Sequence, residues 1–259
     1  MADEKWKTAI TKIEPNKIAM KGYRVEELMG QVPFAHVVFL LLKGELPSRE
    51  QGILMDAMLV SSVDHGATPP SALAARTVAS GGAALTAAVA AGISAINRYH
   101  GGAIEGCMGV LIEAVQRKQT SDEDAATVAG EMVDEYRSAK RRIPGYGHRV
   151  HTEDPRSVRL FALAEELGIA GEYVEMAGAI RAAMKENLGR DLPMNVDGAI
   201  ATILCEMDFP PEMSNGIFAV SRSGGLVAHV YEEQTRMRPM RRIDPAAHEY
   251  DGPAERKVG

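Results

Sequence analysis

Short polar interruptions divide this chain into apolar runs, and the period of those runs changes once, near residue 22. Thr8 to Ile13 and Ile18 to Gly22 alternate around a Pro-Asn turn, which predicts two short strands. Beyond Gly22 the apolar positions recur at helical spacing. Pro33 to Lys43 reads as a buried helix closed by Gly44 and stopped by Pro47. Ser48 caps another helix to about Val63, and Pro69-Pro70 opens an Ala-rich helix ending near Tyr99. Ile104 to Arg117 follows, then Glu123 to Arg142 behind a cap at Thr120 or Ser121. Asp154 caps a helix that has Pro155 at its first position and runs to Leu167, where Gly168 ends it. Gly171 to Leu188 and Val196 to Met207 are helical, and Pro210-Pro211 breaks the chain before a last helix, Met213 to about Met237. The tail, Arg238 to Gly259, is polar with one short apolar element. With no βαβ alternation and no internal repeat, the reading is an all-α chain with a short N-terminal β-hairpin.

Composition narrows the class. The 259 residues carry 29 Lys+Arg against 35 Asp+Glu, a net charge of −6. No basic excess or stripe points to nucleic acid. The local cluster Lys140-Arg141-Arg142 reads either as a solvated helix end or as a seat for ligand phosphates. Cys107 and Cys205 stand far apart with no CxxC pair, so no disulfide is expected and a reduced, cytoplasmic setting is the default. The N-terminal Met-Ala-Asp-Glu-Lys-Trp-Lys has no apolar core and is not expected to be a signal peptide. Thr77 to Asn97 is uncharged, but its Ala, Gly, Ser and Thr content fits a helix packed closely among others better than a membrane span. Gly101-Gly102 and Gly224-Gly225 match no phosphate-loop pattern.

The chemistry-bearing residues sit at helix junctions. In Pro144 to Arg156, two glycines and a proline fix a tight loop that presents His148, and Arg156 follows in the first turn of a helix. Such an arrangement suits a proton-transfer group next to an anion-binding group. His65, in Val-Asp-His-Gly, and His100, in Arg-Tyr-His-Gly-Gly, lie at two further junctions, whereas His36 and His229 lie within apolar helices and read as core histidines. There is no HExxH and no Cys/His cluster, so no metal is expected. Asp197 opens an apolar helix and is either an N-cap or a general base. Arg222 interrupts an apolar helix and needs a partner, and with Arg156 and Arg238 it would suit a di- or tricarboxylate.

Taken together, Asp64-His65-Gly66, His100-Gly-Gly-Ala103, Pro144-Gly-Tyr-Gly-His-Arg149 with Asp154-Pro-Arg156, Asn195-Val-Asp197 and Ser221-Arg222 resemble the citrate synthase family, in the family's order and over nearly the whole chain. The resemblance implies a two-domain helical fold, with a large domain at 1–101 and 206–259 and a small one at 102–205. It implies a homodimer or higher homo-oligomer. It assigns His100 to the enolate of acetyl-CoA, His148 to the oxygen of the oxaloacetate-derived carbon and Asp197 to the acetyl methyl proton. His65, Arg156 and Arg222 would hold the acid's carboxylates, joined by Arg238 reaching across from a partner subunit. A CoA thioester would be a substrate, with no permanently bound cofactor, no metal, no nucleic acid and no membrane.

Within that family, Gly147-His-Arg-Val150, Asn195-Val-Asp-Gly198 and the compact length resemble stand-alone citryl-CoA lyases and the lyase module of ATP-citrate lyase. His100 resembles the synthases instead, because the lyase module has an aromatic residue before its Gly-Gly. The leading expectation is a lyase cleaving citryl-CoA or a close analogue to acetyl-CoA and oxaloacetate. The alternative is a compact synthase making citrate or 2-methylcitrate. A third reading, a non-catalytic interaction protein, does not explain why His100, His148 and Asp197 stand together.

Overall fold

A computed structural model describes residues 6–148, 151–242 and 244–258. Arg149 and Val150 of the loop motif, and Met1–Lys5 of the N-terminal stretch, lie outside the described residues. The strand reading holds and gains a third member: β1 (Thr11–Glu14), β2 (Lys17–Met20) and β3 (Tyr23–Arg24) form an antiparallel sheet in the order β1-β2-β3. Asn16 takes φ 60° in the first turn, a conformation asparagine tolerates. A single turn, α1 (Val25–Leu28), follows, and helices form the rest.

Local chemistry sets most helix ends where the pattern placed them. Gly44 closes α2 (Phe34–Lys43) at φ 95°. Ser48 and Gln51 form a reciprocal capping box at the start of α3 (Arg49–Ser62), with bonds of 3.0 and 3.2 Å. The Ala-rich segment is a correction. It is not one helix to Tyr99 but two, α4 (Pro70–Ser80) and α5 (Leu85–Ser94), broken where Gly82 adopts φ 92°. The small-residue reading still holds, since a side chain at Gly92 would lie 2.9 Å from the Ser71 carbonyl, so α4 and α5 pack almost backbone to backbone. No helix among the described residues is long and apolar enough to cross a membrane.

A second correction concerns the next pair. α6 (Ala103–Thr120) runs through Thr120, and Asp124 rather than Thr120 or Ser121 caps α7 (Ala125–Ser138), accepting from the Thr127 N–H at 2.8 Å. α7 stops short of Arg142, and Lys140 turns at φ 53°. α8 (Pro155–Glu166), α9 (Glu172–Leu188), α10 (Val196–Glu206) and α11 (Ser214–Arg236) complete the set.

One continuous core joins α2, α3 and α6 to α10, around fully buried Leu54, Met108, Met132, Met176 and Ile203. A smaller cluster seats Leu226 and Val230 of α11 on Ala75, Ala79 and Ala88 of α4 and α5. Cys107 and Cys205 are buried free thiols. The loop from Pro144 threads between these elements. Gly145 takes φ 87°, and an added Cβ would meet Cys107 Sγ at 2.7 Å and Gly198 Cα at 2.8 Å. Tyr146 pairs with Met194 through a short β-bridge, and Asn195 donates its backbone N–H to Gly145 O at 2.9 Å. The loop that carries His148 is thereby stitched to the strand of chain that leads into α10.

Gly145→Ala combines positive φ with a backbone clash, and such strain costs about 1–3 kcal/mol. The expected outcome is a melting temperature several degrees lower, read by calorimetry, whereas Gly168→Ala, which has open space, costs less.

Candidate active site

The loop histidine, the helix arginine and the first junction histidine converge. His148 and His65 face each other edge to face with ring centres 6.5 Å apart, and Arg156 Nη1 lies 3.5 Å from His65 Nδ1. Asp154 organises this group. It caps α8 and binds Arg156 three times: from the backbone N–H at 3.1 Å, from Nε at 3.0 Å and from Nη2 at 2.8 Å. Its Oδ2 also accepts the Val196 N–H at 3.1 Å, at the start of α10. Burial alone would raise the Asp154 carboxyl, but the Arg156 and Val196 bonds hold it below the usual range.

His100 is held from two sides. Its backbone exchanges two hydrogen bonds with Asn97, at 2.7 and 2.8 Å, and Gly101 turns at φ 95° just before α6. Its Nε2 is 2.8 Å from Ser71 Oγ, and its ring meets Phe218 edge-on at 5.9 Å. His100 and Asp197 line a common cleft of about 850 Å³, with Asn97, Glu105 and Asn215 on its wall.

Asp197 is not the N-cap. Asn195 takes that role, accepting from the Gly198 N–H at 3.1 Å and donating Nδ2 to Gly147 O at 2.9 Å. Asp197 is left in the first turn of α10 with no capping duty. Burial pushes its carboxyl up, and the positive charges of Arg156 and Arg222 only partly oppose this.

Arg222 is the shared neighbour. It is buried, donates Nε to Ser62 O at 2.9 Å and lies over the Phe218 ring at 4.7 Å, while its Nη1 has no hydrogen-bond partner among the described residues. Burial makes the guanidinium easier to deprotonate, against the pull of Asp64 and Asp197. For His65 and for His100, burial comes first, with Arg222 adding to it, and both imidazoles titrate below their usual range. His148 is also lowered, by burial and then by His151, whose ring lies 4.5 Å away. The set is thus three imidazoles of lowered pKa, two guanidiniums and one carboxyl of raised pKa. Such a set has the donors to receive an anion and groups able to exchange protons.

A second cleft, of about 600 Å³, opens from His148 and Gly147 past Tyr146 and Leu192. Arg137, Arg141, Arg142 and Arg190 line it. Two of the three residues in the Lys140-Arg141-Arg142 cluster therefore face a cavity. Arg238 is not brought to the site within one chain; it is exposed just past α11. Asp154, Ser71 and Phe218 went unread as site residues. Asp154 was legible only as a cap, and Ser71 and Phe218 reach the site solely through packing between distant segments.

Comparison with known proteins places these features in a lineage. The family model "Citrate synthase, C-terminal domain" matches residues 52–243. A citrate synthase of Haloferax volcanii is 34% identical over 210 residues, 78% of this chain and 52% of the relative. The chain thus spans about half the length of that curated relative. The citryl-CoA lyase of Hydrogenobacter thermophilus is 42% identical with a TM-score of 0.90, covering 98% of this chain and 97% of that one. An ATP citrate lyase mutant of Methanosaeta concilii in complex with (3S)-citryl-CoA superposes with a TM-score of 0.84 at 20% identity, over 98% of this chain and 43% of that one, which is a likeness of fold.

The lowered imidazoles set a sign for pH. Each binds protons less readily folded than unfolded, so stability is full above the ordinary imidazole range near ~6.5 and is lost as pH falls from there towards the folded values. NMR titration is expected to place His65, His100 and His148 below that range. The fall in melting temperature on acidification is expected to shrink in His65→Gln.

Proposed function

The chain belongs to the citrate synthase family, and we propose that it is a citryl-CoA lyase-type enzyme, cleaving citryl-CoA or a close analogue to acetyl-CoA and oxaloacetate. The observation that carries this is the end-to-end likeness, at 42% identity, to the Hydrogenobacter citryl-CoA lyase. The geometry supports the same reaction. In this reading His148 takes the proton of the citryl hydroxyl, and the C–O bond becomes a carbonyl as the adjacent C–C bond breaks. The electron pair passes to the acetyl fragment as an enolate, whose oxygen accepts a hydrogen bond from His100. Asp197 then delivers a proton to the enolate carbon, giving the methyl group of acetyl-CoA. A donor acid at that step is served by a carboxyl that burial keeps protonated to higher pH.

The released acid carries two carboxylates. Arg156, preset by Asp154, and the unpartnered Nη1 of Arg222 are the donors that would receive them, with His65 between. The arginine-lined cleft next to His148 would take the CoA phosphates, with its apolar wall of Val133, Ile143, Met184 and Leu192 along the chain of the thioester. The functional groups come from both expected domains: His65, His100 and Arg222 from 1–101 and 206–259, and His148, Arg156 and Asp197 from 102–205. Closing one unit on the other would exclude water, which a reactive enolate requires. In this proposal the protein is a homodimer, Arg238 completes the partner's site, and the CoA thioester is the only cofactor-like group.

The likeness to the Haloferax citrate synthase favours a second reading, condensation to citrate. The same groups run both directions by microscopic reversibility, but a synthase must also hydrolyse the thioester. Protein given citryl-CoA is expected to release oxaloacetate, followed by coupled reduction to malate. Given acetyl-CoA and oxaloacetate, it is expected to accumulate little free citrate. Free CoA thiol appearing in step with citrate would favour the synthase reading.

Asp197→Asn is expected to lower turnover by about 10²–10⁴-fold with little change in melting temperature, since Asn195 carries the cap. For the shared site, heterodimers of an Arg238→Ala subunit with a His148→Ala subunit are expected to regain activity that neither homodimer has. Confirmed heterodimers without recovery would rule out that arrangement.

A further inference from the structure

His65 sits on a short loop between α3 and α4, and that loop is fixed to α11 by residues the chemistry above does not use. Asp64 turns the loop, accepting the Gly66 N–H at 2.9 Å through Oδ2. Its other oxygen, Oδ1, lies 2.9 Å from His229 Nε2 on α11. The second ring nitrogen of His229, Nδ1, is 3.4 Å from Arg76 Nη1. A guanidinium only donates, so Nδ1 is the acceptor and the proton resides on Nε2, which donates to Asp64. Arg76 is buried on α4 and is itself held by the buried Glu233, Nε to Oε2 at 2.8 Å.

The fit of the loop to the helix is tight. A side chain at Gly225 would lie 2.3 Å from Val63 O and 2.9 Å from Asp64 Oδ1. Arg222, one turn before it, donates to Ser62 O on the same connection. Glu233, Arg76, His229 and Asp64 thus form an ordered chain of donors and acceptors that ends one residue from His65. On its other side the His65 ring meets Arg156, with Nη1 3.5 Å from Nδ1, and the edge-on ring of His148.

We propose that Asp64 and His229 are positioning residues for the acid-binding half of the site: His229, locked in its Nε2–H tautomer by Arg76, holds Asp64 and so aims His65 and Arg222 at the same carboxylate. The assignment rests on the reading of His65 and Arg222 as ligands of the acid. It deepens that reading by tying acid affinity, rather than thioester affinity, to two residues that touch neither.

The test uses the full-length protein and three variants. His229→Gln keeps an N–H donor close to the Nε2 position. His229→Phe keeps the bulk and removes both hydrogen bonds. Asp64→Asn must forfeit one of its two bonds, since its amide nitrogen would face either the Gly66 N–H or the His229 N–H. Calorimetry is expected to show oxaloacetate affinity falling roughly 10- to 100-fold in His229→Phe and Asp64→Asn, as misplacement by about an ångström produces. CoA affinity is expected to stay within about twofold, and His229→Gln to restore most of the oxaloacetate affinity. Equal losses for both ligands, or no difference between Gln and Phe, would overturn the proposal.

If the native protein binds no oxaloacetate, the functional reading fails, and the positioning claim is then judged by histidine-selective ¹⁵N NMR on the unliganded protein. There His229 is expected to show a protonated Nε2 and a bare Nδ1, and the His65 ring signals to shift in His229→Phe but not in His229→Gln. The opposite tautomer, or His65 signals unmoved in His229→Phe, would sink the claim. Should His229→Phe fail to fold, Asp64→Asn carries the same comparison.

Discussion

The buried carboxylate of Asp154 is the joint on which the site depends. It accepts from the Arg156 backbone N–H, from the Nε–Nη2 edge of its guanidinium and also from the Val196 N–H, so one side chain satisfies the start of α8 and the start of α10 together. Both helix N-termini present positive ends to it. A buried charge is costly unless every lone pair is used, and here the fork of Arg156 and two backbone donors use them. Without Asp154, Arg156 loses its orientation, α8 loses its cap, and α10, which carries Asp197, loses its link to α8 through the Val196 N–H.

From that joint the electrostatics follow. Burial lowers all three imidazoles, and nearby positive charge adds to it: Arg156 and Arg222 at His65, Arg222 at His100, and Arg156, after His151, at His148. A lowered imidazole gives up its second proton more readily and then has one nitrogen as donor and one as acceptor, as the proposed proton transfers require. Asp197 is the exception that the same space produces. Two cations pull its carboxyl down, yet burial outweighs them and leaves it raised. A site with two guanidiniums, imidazoles of lowered pKa and one carboxyl of raised pKa matches the proposed reaction, whose substrate brings negative charge with it.

The elements of the fold were legible because each rests on a local rule. Gly44, Ser48 with Gln51, and Pro155 behind Asp154 act within a few residues of the ends they define. The misses arose where two local signals competed. Gly81-Gly82 sat inside an alanine-rich run whose helical propensity masked the break, and what enforces the break is tertiary, the close packing of α5 on α4 through Gly92. At α7, Thr120, Ser121 and Asp124 are all capping types, and the extra length of α6 decided among them. The same competition surrounded Asp197, since Asn195 two residues earlier is an equally good cap; only the Asn195 Nδ2 bond to Gly147 O fixes which residue is free for chemistry. His229 read as a core histidine, and it does have partners, but the pattern within one helix gave no hint that its partner would be the neighbour of His65.

The C-terminal tail extends the argument beyond one subunit. Past α11 the chain is pinned twice: Met240 donates its backbone N–H to Ser80 O at 2.8 Å, and Arg241 pairs with the buried Glu233, Nε to Oε1 at 2.8 Å. Arg238 lies exposed between the end of the helix and these anchors. Glu233 is also the residue that holds Arg76, and Arg76 Nη1 faces Nδ1 of His229. The carboxylate that secures the tail is therefore the first link in the chain that secures the His65 loop. If Arg238 serves a partner's site as proposed, one buried glutamate steadies an acid-binding arm on each side of the subunit boundary. Disturbing the tail would then loosen the local site as well as the neighbouring one.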